Sequence, residues 1–246
     1  MVARSQTTFL RSMDLSATAP NHGYPFDLPA IAGIDEIEFG PVTIFVGENG
    51  SGKSTIVEAV ATTAGLNAEG GSTNLQFTTY ATHSNLGEHL ALRWARRPSW
   101  GWFLRAETFY GMATHIATDD DPKYGIASMF PDLHARSHGE SFLSLIESRF
   151  APQGFYVMDE PESALSFQGQ LRLLRVIHDG LRNNSQYVIA THSPLLMRMP
   201  AATIYEVGDD GIHRCSYDDL TVVNLWRRFL VSPEKLLHTL FADEDD

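Results

Sequence analysis

Apolar and polar residues follow two periods along this chain. Near the start, "TFLRSMDL" and "IDEIEF" alternate in the period-two manner of half-buried strands, and "PVTIFV" is apolar but for one threonine, as a strand covered on both faces would be. The middle is less regular. There "LQFTTYAT", "HLALRWA" and "GWFLRAE" predict strands of an antiparallel piece, "ETFYGMATHIA" a helix, and "TDDDPKYG" a loop. After Ser137 regularity returns as the strand "GFYVMD", the helix "FQGQLRLLRVIHDGLRN" and the strand "QYVIATH". In that helix Phe167, Leu171, Leu174, Ile177 and Leu181 recur at spacings of three and four, which predicts one apolar face. "ATIYEVGDDGIHRCSY" predicts a hairpin with Asp210-Gly211 in its turn, and Ser232-Pro233 the start of a last short helix, "PEKLLHTLF".

Strands alternating with helices on either side of an irregular middle predict an α/β fold whose sheet is mostly parallel. The whole chain, 1–246, reads as one domain, with an insert at 68–137 carrying antiparallel strands and part of a second, small helical lobe. Composition narrows the possibilities. Hydrophobic residues make up 43% of the chain, enough for a substantial core, and the net charge of -12 removes any overall basic footprint for nucleic acid. The single cysteine, Cys215, excludes an intramolecular disulfide and fits a reducing compartment. The first residues have no long apolar core, and no run approaches the roughly 18 apolar residues of a membrane span, so a cytoplasmic chain is expected.

The candidate chemistry begins at Gly47-Glu48-Asn49-Gly50-Ser51-Gly52-Lys53-Ser54-Thr55. It fits G-x-x-x-x-G-K-[ST] without mismatch, after an expected strand and before an expected helix, "STIVEAVATTA". Glycines let successive backbone N–H groups turn inward as an anion nest, and the helix N-terminus adds partial positive charge. Lys53 would reach the β- and γ-phosphates of ATP, and the Ser54 hydroxyl would ligate Mg²⁺. A metal held this way needs a second acid. "GFYVMDE" ends an apolar strand in Asp159-Glu160, at the sheet edge where open α/β sheets hold ligands. Asp159 would hold Mg²⁺, and Glu160 would polarise the attacking water as general base. A third apolar strand ends in Thr191-His192-Ser193, and His192 could hydrogen-bond a γ-phosphate oxygen. Taken singly, an acidic turn after a strand and a lone histidine are also ordinary structural features.

Phosphate loop, "VMDEPESALS" and "IATHS", in that order, resemble an ABC-class ATPase. The likeness is to the soluble, non-transporter branch of compact bacterial AAA-type ATPases, related in plan to the heads of SMC and overcoming-lysogenization-defect proteins. The resemblance implies a phosphate-loop NTPase fold of ABC type that hydrolyses MgATP. It also implies a signature segment ahead of the Asp-Glu strand, a place occupied by Arg136-Ser137-His138-Gly139-Glu140. In this class Ser137 and Gly139 would face the nucleotide of a partner copy, giving a homodimer on ATP binding. The same residues also suit a plain helix N-cap. By position in the family plan, Tyr24 would stack on adenine, although an aromatic beside Pro25 is as readily a core residue.

The chain departs from the transporter pattern in two respects. Ser166 stands where transporters usually carry Asp after the Glu160 loop, and there is no convincing glutamine loop. Gln76 is early for that role, and Arg105 or Glu107 could take part of it. "RWARRPSWGWF" could bind phosphates and bases but reads better as a hairpin with an exposed basic face, and Asp119 to Asp121 as a solvated loop. What the ATP cycle would drive is open: an unidentified protein or nucleic-acid partner, a nucleotide-gated interaction with slow hydrolysis, or the ATPase subunit of a membrane transporter.

Overall fold

The computed structural model describes residues 8–67, 84–107 and 138–242. Its centre is a six-stranded sheet in the order β5-β6-β7-β3-β8-β9. The strands are β3 (Val42–Val46), β5 (Trp100–Arg105), β6 (Gly154–Asp159), β7 (Gln186–Ala190), β8 (Thr203–Gly208) and β9 (Gly211–Cys215). All neighbours pair parallel except β9, which closes one edge antiparallel to β8. A three-stranded antiparallel sheet, β2-β1-β4, is formed by β1 (Leu10–Leu15), β2 (Glu36–Glu38) and β4 (Leu90–Trp94). The α/β class with a mostly parallel sheet and an antiparallel piece is therefore as expected.

Both faces of the main sheet are covered, which is why β3, β6 and β7 are buried at every position rather than alternately. On one face Phe45, Phe103, Phe155, Val157 and Val188 pack with the small sheet, with α1 (Pro29–Ala32) and with α2 (Lys53–Thr63). On the other, Ile44, Trp102, Leu104, Tyr156 and Met158 pack with α3 (His138–Arg149) and α4 (Phe167–Arg182). One buried side chain pins the two sheets together. Gln186 Oε1 accepts from the backbone N–H groups of Phe9 and Leu10 at 2.9 and 2.8 Å. Its Nε2 donates to the carbonyls of Leu10 and Gly40 at 2.8 and 2.9 Å. All four hydrogen-bonding positions of the amide are thus used, the condition for burying it without penalty.

Several expectations are corrected here. "HLALRWA" and "GWFLRAE" do not form one antiparallel piece: β4 joins the small sheet, while β5 crosses over to become the parallel edge strand of the main sheet. The basic segment between them is therefore no hairpin. Arg93 pairs with Glu36 at 2.7 Å and Asp14 at 3.1 Å, Arg96 lies over the Phe9 ring, and Arg97 over Trp94. In α4 Ile177 and Leu181 are buried as expected, but Gly169 and Leu173 complete the buried row, while Phe167 and Leu171 are exposed. The buried stripe shares its C-terminal half with the expected face and diverges only in the first turns, where packing against the sheet takes Leu173 rather than Leu171. The hairpin turn is Asp209-Asp210, closed by the pair Gly208–Gly211, one residue earlier than expected. "TVVNLWRRFLV", not assigned from sequence, forms α6 (Thr221–Val231) after the short α5 (Pro194–Met197), and the expected last helix is α7 (Pro233–Ala242). The segments "LQFTTYAT", "ETFYGMATHIA" and "TDDDPKYG" lie outside the described residues. Among the described residues no helix is long and apolar enough to cross a membrane.

Candidate functional site

Strand register assembles the site. Asp159 is level with Ala190 of β7 and with Arg105 of β5, and Ala190 is level with Phe45 of β3. The residues that follow each strand therefore emerge side by side at the C-terminal edge: the phosphate loop after β3, Glu160 after β6, and His192 after β7. Pleating sets the direction. Phe155, Val157 and Asp159 share one face of β6, and Phe103 and Arg105 the matching face of β5, so both charged residues point toward α2.

The loop 47–52 has the shape its glycines allow. A Cβ on Gly47 would lie 2.1 Å from the Val207 carbonyl oxygen, so β8 approaches too closely for any other residue. Gly52, the residue ahead of α2, has φ 103°, a left-handed conformation that disfavours L side chains. Lys53 is buried and its Nζ donates to the Glu48 carbonyl at 2.7 Å, curling the ammonium into its own loop. Burial lowers the Lys53 pKa, and Glu160, Asp159 and Glu162 act the other way. Glu48, Asn49, Gly50, Ser51, Ser54 and Thr55 line the same turn and first helical turn. Tyr24, largely exposed, reaches this turn from the preceding loop, with its hydroxyl 3.0 Å from the Thr55 hydroxyl.

Asp159 is buried, and burial pushes its pKa up to about 6, against lowering by the Arg105 guanidinium and the Ser54 hydroxyl. Arg105 Nε stands 3.3 Å from Asp159 Oδ2, and Arg105 Nη1 donates to Glu58 Oε2 on α2 at 2.8 Å. Asp159 Oδ1 has no hydrogen-bond partner. A buried carboxylate oxygen left unsatisfied beside a serine hydroxyl is the donor set a hard divalent cation would take, so these residues fit Mg²⁺.

Glu160 is a non-glycine residue in the left-handed region, φ 45° and ψ 52°. Its N–H still bonds the Ala190 carbonyl at 2.9 Å, and the turn Pro161–Ala164 begins directly after it. The backbone thus leaves the sheet sharply, and the Glu160 carboxylate comes within 3.3 Å of His192 Nε2. Strain of this kind persists where surrounding contacts over-determine it, often at functional positions.

Sequence reasoning missed Glu162. Its Oε1 accepts from the His192 N–H at 2.5 Å and the Ser193 N–H at 3.1 Å, locking the segment after β7 to the turn after β6. Ser193 Oγ donates to Gln170 Oε1 at 2.6 Å and accepts from the N–H groups of Leu195 and Leu196. The signal available was an acid two residues beyond Glu160, but its partners lie 30 and 31 residues away. Gly139 opens α3 and packs so closely on the turn after Glu160 that a Cβ would stand 3.0 Å from the Ala164 carbonyl oxygen. Of the expected signature, Arg136 and Ser137 lie outside the described residues, as do Gln76 and Asp119–Asp121. Among the described residues no three His, Cys, Asp or Glu side chains group as a metal cluster.

Against known families, residues 31–87 match the AAA domain model AAA_23, a span from ahead of β2 to ahead of β4 that includes the phosphate loop. A curated relative is the "Uncharacterized ABC transporter ATP-binding protein" of Haemophilus influenzae, 34% identical over 108 residues. Both matches are to nucleotide-binding proteins and cover only part of the chain. The matched region is 43% of this chain and spans 41% of that relative's length. Solved structures with a similar course include the SMC head domain from Thermotoga maritima, 17% identical, covering 85% of this chain and 100% of that one at a TM-score of 0.49. The ATP-binding subunit of an ABC transporter is 15% identical and covers 86% of this chain and 91% of that one at 0.47.

Proposed function

We propose that this ATPase head binds and hydrolyses MgATP, and that ATP draws two copies together head to tail. The observation that supports it is the convergence of Lys53, Ser54, Asp159, Glu160 and His192 at one sheet edge, with an unsatisfied Asp159 oxygen among them. Nucleotide phosphates would sit on the N–H groups of Gly47 to Thr55 and on Lys53, with Tyr24 against adenine. Ser54 and Asp159 would hold Mg²⁺, which when bound neutralises charge on the β- and γ-phosphate oxygens. Glu160 orients the attacking water and accepts its proton, while His192 hydrogen-bonds the γ-phosphate and steadies the Glu160 carboxylate. Catalysis here is positioning and charge stabilisation more than covalent chemistry.

The segment 68–137 would serve as an insert leading into the signature, so that Ser137 and Gly139 close the other copy's nucleotide across a two-fold axis. Nucleotide buried between copies links dimerisation to ATP by mass action. Such a cycle suits a cytoplasmic machine whose closed state engages another protein or a nucleic acid.

Light scattering on Glu160→Gln tests this. The variant is expected to run as a dimer with MgATP and as a smaller species with ADP, and Lys53→Ala to lose binding of a fluorescent ATP analogue. Equal size in both nucleotides sinks the dimer, and unchanged affinity of Lys53→Ala sinks the nucleotide site.

A further inference from the structure

Arg105 has no place in the hydrolysis scheme above, yet it sits inside the site. It is the last residue of β5, level with Asp159 across the parallel ladder. Its side chain and those of Glu58 and Asp159 are 21%, 10% and 6% exposed, so all three charges are largely withdrawn from water. Burying a charge is costly unless it is paired. Here one guanidinium serves two carboxylates on two elements, Glu58 on α2 and Asp159 at the end of β6, at 2.8 and 3.3 Å. Glu58 lies four residues after Ser54, on the same face of α2. The guanidinium therefore links the helix that carries Ser54 to the strand that carries Asp159.

The two oxygens of Asp159 are inequivalent. Oδ2 is tied back toward Arg105, and Oδ1 is buried without a partner. We propose that Arg105 is a positioning residue for Mg²⁺: anchored on Glu58, it holds Asp159 by one oxygen so that the other is presented to the metal beside Ser54. An arginine suits the task because its Nε and Nη1 edges point in different fixed directions, which a lysine ammonium cannot reproduce. The inference rests on the nucleotide-site reading given above. Groups behind a metal ligand commonly set its orientation, and removing them costs about 10–100-fold in metal affinity.

The test measures binding of a fluorescent ATP analogue in EDTA and across a Mg²⁺ titration, for wild type, Arg105→Ala, Arg105→Lys and Glu58→Gln. For Arg105→Ala the Mg²⁺ concentration giving half of the metal-dependent change should rise about 10–100-fold, while affinity in EDTA stays within about twofold of wild type. Arg105→Lys should fall between the two, because it restores charge without the two-edged geometry. Glu58→Gln should shift the midpoint the same way by less. If Arg105→Ala does not fold, Glu58→Gln and Arg105→Lys carry the test, and unchanged midpoints in both overturn the proposal. An unchanged midpoint in Arg105→Ala, or an equal loss of affinity in EDTA, overturns it too. Wild-type protein that binds no nucleotide at all would instead overturn the site itself.

Discussion

Asp159 stores a cost in the metal-free protein that can be measured directly. Its carboxyl is 6% exposed, and burial lifts its pKa from 3.8 to about 6 even after Arg105 has lowered it. The displacement is about 2 pH units, and at 1.36 kcal/mol each the ionised side chain costs about 3 kcal/mol in the folded state. Asp159→Asn keeps the shape and removes the charge, so it should stabilise the apo protein by up to about 3 kcal/mol. The sign follows from proton counts. Between the unfolded value of 3.8 and the folded value of about 6 the native state binds more protons, so wild-type stability falls as pH rises through that window. The advantage of the Asn variant should therefore be nearly whole at pH 7 and 8, and about half as large at pH 5. Urea unfolding of both proteins at pH 5, 7 and 8 without metal gives the difference. An Asn variant that is no more stable at pH 8, or whose gain is equal at pH 5 and pH 8, would refute the view that Asp159 is a buried, destabilised carboxylate awaiting a cation.

Gly47→Ala should fail to fold or lose nucleotide binding entirely, since its Cβ would stand 2.1 Å from backbone of β8 that cannot withdraw; circular dichroism and nucleotide titration separate these outcomes, and a folded, binding variant would contradict the geometry. Glu162→Ala should slow turnover with little change in ATP affinity and deprotect the amides of His192 and Ser193 in hydrogen exchange, because their shared acceptor is gone; unaltered exchange would show that the clamp is not formed. Tyr24→Ala should weaken binding of ATP and inorganic triphosphate unequally, costing ATP about 1–3 kcal/mol if the ring stacks on adenine. Equal losses for both ligands would assign Tyr24 to the loop alone.

Much of the candidate site was legible because its signals are local. A phosphate loop is a run of consecutive residues whose glycines and flanking strand and helix are all visible in sequence, and "GFYVMDE" and "YVIATHS" each mark a strand end by an abrupt change from apolar to polar. Order along the chain then implied that these ends share one sheet edge. What sequence did not disclose depends on partners distant in the chain. Whether "GWFLRAE" pairs with "HLALRWA" or with "GFYVMD" leaves no trace in its own apolar pattern, because a parallel edge strand and an antiparallel one both bury the same residues. Sequence offered Arg105 only as an alternative to Glu107 for the glutamine-loop role, and the register Arg105–Asp159 is what sets it beside the aspartate. Glu162 and Gln186 looked like ordinary polar residues until the fold supplied amides and carbonyls for them to bond. On α4 the helical period allowed either Leu171 or Leu173 to continue the face of Ile177 and Leu181, and the position of the sheet chose Leu173. Periodicity and turn chemistry act over a few residues and are written in the sequence, whereas strand partnership and the satisfaction of buried charge are decided when the chain closes on itself.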